Sequence, residues 1–125
     1  MFVNGETLPI ADGPNTITIR MRMDFGVYSA FMDDLLAISG PKLNVTKHIG
    51  ALNVALMVHN IVGWEGPGFL GPDGKTTLPV TPENIRHLDP DDPLVVRVLA
   101  EVQERNPLFR PSAPPKVDTS VGAPS

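Results

Sequence analysis

The sequence predicts an α+β fold: a small helix-rich domain over residues 1–108, opened by an N-terminal β-hairpin or meander, with a disordered proline-rich tail over 109–125. Three observations carry that expectation. "TITIRMRM" alternates apolar and polar residues with the period of a half-buried strand. Thr81-Pro82-Glu83 and Asp92-Pro93 both join a capping side chain to a proline at the first helical position. The last 17 residues hold four prolines, three serines and two alanines, too little apolar surface to offset the entropy of ordering.

Within the domain, residues 1–23 read as a β unit and 24–106 as mainly helical. "VNGETLPI" carries an Asn4-Gly5 turn signal, and "ADGPN" is a second breaker cluster. In the strand that follows, Ile17, Ile19, Met21 and Met23 share one face; Thr16, Thr18, Arg20 and Arg22 share the other. Asp24 stands where a helix cap belongs. After it Tyr28, Phe31, Leu35 and Ile38 recur at helical spacing, Ser29, Asp33 and Asp34 mark the wet side, and Ser39-Gly40-Pro41 is the stop. Residues 43–62 are ambiguous. "LNVTKHI" alternates like a strand, whereas "GALNVALMVHNIV" is rich in Ala and Leu. Helix propensity favours a helix from Gly50 to Val62, while the valines and isoleucines pull toward strand. Apolar residues on most of its sides mark it as the central, most buried element. A short helix ending at His87 or Leu88 and a last amphipathic helix follow. In the latter, Leu94, Val95, Val98, Leu99 and Val102 form one stripe, and Arg97, Glu101 and Arg105 run four apart on another.

Composition narrows the function. At 125 residues the chain is one domain's worth, long enough to bury roughly two-thirds of its unfolded surface. It has no cysteine, which excludes disulfide scaffolds, thiolate metal sites and thiol nucleophiles. A net charge of −4 speaks against general nucleic-acid binding. "MFVNGETLPIADG" shows no basic n-region or apolar core of a signal peptide, and the longest nearly uncharged stretch, Ile49–Trp64, falls short of a membrane span. Neither nucleic acid nor membrane is expected as a partner.

The chemistry-bearing residues are sparse. Gly74-Lys75-Thr76 resembles the end of a phosphate-binding loop, but that motif needs a glycine at the position held by Phe69 and a helix after the lysine, where "TLPVTP" follows. Gly66-Pro67-Gly68 and Asp73-Gly74 are better explained as turns. His48, His59 and His87 lack metal-ligand spacing; His59 can meet Glu65 or an aspartate in space. Asp33 and Asp34 point about 100° apart on a helix, unlike a proton-sharing dyad. Serines 29, 39, 112, 120 and 125 have no nucleophile-elbow context. Arg20 and Arg22 form a small basic face suited to ion pairs with the acidic helices. No catalytic, cofactor-binding or metal-binding residue is assigned. Trp64 has two readings: a ring sealing a core edge, its indole N–H on a loop carbonyl, or a partner contact together with Phe69 and Leu70 at an exposed loop tip.

The order of these parts resembles a known family. An apolar helix running into "IVGWEG", a "DGK" turn, "LPVTPENI", the "LDPDDP" spacer and a last amphipathic helix look like the tail assembly chaperones of long-tailed, siphovirus-like bacteriophages. The likeness rests on Trp64, Asp73-Gly74, Pro79, Thr81-Pro82-Glu83-Asn84 and Leu88, and covers about residues 54–105. The chain departs from it in the inserted "GPGFLG" and in its β-rich start. The resemblance implies a non-enzymatic protein of the host cell cytoplasm, absent from the mature virion. It would bind the tape measure protein, help recruit tail tube protein, and in many cases occur also in a longer frameshifted form. The alternative is a structural protein retained in the particle, such as a connector or tube-associated subunit.

Overall fold

The computed structural model describes residues 1–39 and 49–107. The expected disordered tail, the strand alternative over most of "LNVTKHI", and His48 lie outside the described residues.

Two strands open the chain. β1 (Thr7–Asp12) and β2 (Asn15–Arg20) pair antiparallel from Thr7↔Arg20 to Asp12↔Asn15. Between them Gly13 holds φ at 62° and Pro14 cannot, the sign pattern of a type II′ hairpin turn. Asn4 Oδ1 accepts the Glu6 amide at 3.1 Å, so the Asn4-Gly5 signal marks the bend entering β1. The alternation of "TITIRMRM" is real but shorter than expected. Ile17, Ile19 and Met23 are buried; the strand ends at Arg20, the chain bends at Met21-Arg22, and Met21 is only half-buried.

α1 (Phe25–Ser39) starts where the sequence indicates, with Asp24 Oδ1 accepting the Val27 amide at 2.8 Å. Phe31 and Leu35 are its fully buried residues. α2 (Ile49–Asn60) packs against α1 and is the centre of the domain.

One correction concerns the residues after α2. The helix stops at Asn60, and Ile61–Glu65 form a third strand, β3, antiparallel to β2 in a sheet of order β1-β2-β3. The β unit is therefore not confined to residues 1–23. The register explains why the pattern was not legible. Ile61 pairs with Ile19 and Trp64 with Ile17, three residues apart on β3 but two apart on β2. A bulge absorbs the difference, turning the half-exposed Val62 outward and bringing Ile61 and Trp64 opposite the two buried isoleucines. Strict alternation is broken by that extra residue.

A single 3₁₀ turn at Pro67–Phe69 leads into a loop. α3 (Pro82–Arg86) and α4 (Pro93–Arg105) then begin on the expected caps: Thr81 Oγ1 accepts the Asn84 amide at 3.1 Å and Asp92 Oδ1 the Leu94 amide at 2.9 Å. α4 buries Leu94, Val98 and Val102 and lies against β1, β2 and α2, so helices cover one face of the sheet. The fold is the small α+β domain that the sequence predicts.

Candidate functional site

The corner from β3 to α3 gathers the residues that attracted most attention in the sequence, and it is tightly bonded to itself. Trp64 stacks on Phe69 with ring centres 5.0 Å apart and planes 5° from parallel, and its indole N–H donates to the Leu78 carbonyl at 2.7 Å. Phe69 is 8% exposed and belongs to the core, which corrects its expected place at an exposed tip. Leu70 is half-buried and bridges to Thr77. The loop tip is instead Pro72 to Thr76. The corner also joins a strand to α3, rather than joining two helices.

Gly74-Lys75-Thr76 is fully occupied by its own loop. Asp73 Oδ1 accepts the amides of Lys75 and Thr76, both at 2.9 Å, and Oδ2 accepts the Thr76 hydroxyl at 2.6 Å. These bonds, the Thr76 hydroxyl foremost, lower the Asp73 carboxyl from its ordinary value to about 2. A carboxylate of the chain itself sits on the amides that a phosphate would need. Gly74 takes φ 69°, a turn requirement.

The remaining polar candidates hold elements together. His59 Nε2 lies 2.6 Å from Asp34 Oδ2, the aspartate partner that the sequence left open, and its ring meets Phe31 edge-on. Arg20 does not pair with an acidic helix. Its Nε donates to the His59 carbonyl at 2.9 Å, closing the C-terminal end of α2. Arg105 pairs with Glu101 at 2.9 Å, whereas Arg97 reaches the Ala11 carbonyl of β1. Among the described residues no group of three or more His, Asp or Glu is placed to hold a metal, and no helix is long and apolar enough to cross a membrane.

An apolar concavity lies elsewhere. A groove of about 540 Å³ runs between α2, α3 and α4, floored by Val54, Met57, Ile85, Leu88, Val95 and Leu99. Among the described residues Arg86 is the one charged residue lining it, and Val96, half-exposed, forms part of its rim. Of these residues Leu88 belongs to the family resemblance and Val95 and Leu99 to the apolar stripe of the last helix, but no motif marks the groove itself. The available signals were the apolar residues on most sides of α2 and Val96 beside the buried stripe of α4. A smaller cleft of about 300 Å³ lies between Val3, Phe25, Tyr28 and Pro107. The comparisons identify no relative: no protein-family model, no curated protein and no solved structure matches the chain.

Proposed function

We propose that the protein is a non-enzymatic phage tail assembly chaperone that binds the tape measure protein in the host cytoplasm, assists addition of tail tube protein, and leaves before the virion matures. The observation that carries the reading is the open apolar groove between α2, α3 and α4, lined among the described residues by a single charge. Such a surface suits a protein segment, with affinity drawn from apolar burial. The residues behind the family resemblance support it in a second way. Trp64, Asp73, Thr81 and Asn84 build one corner through the indole bond to Leu78, the Asp73 turn, the α3 cap and the Asn84 amide on the Pro79 carbonyl at 2.8 Å. Their role is scaffolding, as expected of residues that define a fold in a family without an active site.

Co-expression with the tape measure protein, followed by affinity capture, tests the proposal. Association of the two soluble proteins is the expected outcome, and its absence overturns the reading. Mass spectrometry of purified particles separates the retained structural protein from the chaperone, because only the former is present in stoichiometric amount.

A further inference from the structure

We propose that the groove between α2, α3 and α4 receives an amphipathic helical segment of a partner protein, and that this segment presents a carboxylate to Arg86. The inference rests on the reading of the chain as a binding protein and deepens it by specifying the surface and the chemistry of the bound segment.

The floor is continuous and apolar, from Val54 and Met57 on α2 through Ile85 on α3 to Val95 and Leu99 on α4. Val54, Leu88, Val95 and Leu99 keep part of their surface in contact with water, which an apolar helix face would remove. A groove between packed helices accepts anchors at positions i, i+3 or i+4, and i+7 of a partner helix. Asn53 and Gln103 also line the groove, and Gln103 Nε2 donates to Asn53 Oδ1 at 3.1 Å, so these two amides satisfy one another.

Arg86 sets the charge of the occupant. It is exposed at the end of α3 and lines the groove, and its side chain has no hydrogen bond or ion pair among the described residues. The chain as a whole carries −4, so a cationic lining stands against the average charge of the chain. Guanidinium binds carboxylate through a two-pronged geometry, and a complementary charge at a groove end fixes the register of a docked helix. The chain's own residues 108–125 are a poor occupant. Pro111, Pro114 and Pro115 precede Asp118, the one acidic side chain of that stretch, and prolines oppose a continuous helix.

The test uses the full-length isotope-labelled protein and two synthetic Ala/Leu amphipathic peptides of about 16 residues, long enough for a marginal helix. One carries a single Glu at the edge of its apolar face, the other a Lys in its place. Methyl signals of Val54, Met57, Val95 and Leu99 report occupancy. The Glu peptide is expected to shift these signals and to bind about tenfold more tightly than the Lys peptide. Arg86→Glu reverses the preference and Arg86→Gln removes it, with thermal melts confirming that both variants fold. Three results overturn the inference directly: no groove shifts with either peptide, equal affinities for both, or a preference unchanged in R86E. Groove shifts that grow with protein concentration alone would assign the site to a second copy. Shifts in the free protein on Leu108→Asp with Phe109→Asp would assign it to the chain's own tail. Either also overturns the inference. Binding of the Glu peptide without capture of the tape measure protein would leave the groove standing and remove the chaperone reading. Equal capture of the tape measure protein by wild type and R86E would do the reverse.

Discussion

Gly66 holds φ at 120°, and a β-carbon there would lie 2.5 Å from both Asn15 Oδ1 and the Pro14 carbonyl. Neither neighbour can yield freely, because Asn15 Oδ1 also accepts the Gly68 amide at 2.8 Å and Pro14 sits in the β1–β2 turn. Gly66→Ala is expected to cost about 3 kcal/mol in urea unfolding, combining a strained dihedral with a backbone clash. Gly74 is the control. It also has a positive φ, 69°, but nothing within 4 Å of a β-carbon, so Gly74→Ala should cost only about 1 kcal/mol. Equal losses would refute the steric argument. Asp73 offers a second check at this scale. Its carboxyl is held at about 2 in the fold, below its ordinary value. The folded value is the lower one, so the loop's contribution is complete above about pH 4 and is lost as pH falls toward 2. A carbon-detected NMR titration should find the Asp73 midpoint near 2, with the Lys75 and Thr76 amides shifting alongside it.

The elements differ in how locally they are specified. α1, α3 and α4 start on Asp24, Thr81 and Asp92, each of which accepts an amide of the first turn. These starts were legible because a cap works within three residues of sequence. β3 is specified from a distance. Its residues suit a strand, yet their spacing matches β2 only with Val62 pushed outward. Removing Val62 leaves Ile61 and Trp64 two apart, the spacing of Ile19 and Ile17, so the two strands should close into a regular ladder with Trp64 still opposite Ile17 and the Phe69 stack and Leu78 bond kept. The expected result is retained cooperative thermal unfolding, and Val62→Thr at this exposed site should change stability by less than about 0.5 kcal/mol. A deletion variant that lost its cooperative melt would refute Val62 as the extra residue of the bulge.

Across the whole molecule, a few polar side chains tie together segments far apart in sequence. Asn106 is buried at the end of α4. Its Oδ1 accepts the Met23 amide at 3.2 Å, and its Nδ2 donates to the Val102 carbonyl at 2.9 Å. It thereby joins the C-terminal helix to the chain just after β2. Asn106→Ala leaves a buried amide without a partner and should cost about 2 kcal/mol. Faster hydrogen exchange at Met23 would distinguish this from simple fraying of α4. Asn60, at the change from α2 to β3, is fully buried. Its Nδ2 donates to the Leu56 carbonyl at 2.8 Å, and its Oδ1 has no partner among the described residues. The groove is likewise a property of the whole. α2, α3 and α4 each supply part of its wall, and no single stretch of sequence displays it.

By itself the sequence determined the α+β class, the hairpin face of Ile17 and Ile19, the caps of three helices and the turn at Asp73-Gly74, and it offered the indole bond of Trp64 to a loop carbonyl as one of two readings. All of these depend on periodicity, capping or turn chemistry within a few residues, or on the plain need of an indole N–H for an acceptor. Tertiary structure decided the rest. It made Ile61–Glu65 a strand, moved Phe69 from a supposed tip into the core, set Arg20 on the end of α2 and opened the groove beside Arg86. Each of those outcomes turns on which distant backbone or side chain lies opposite, and a pattern read along the chain contains no term for that.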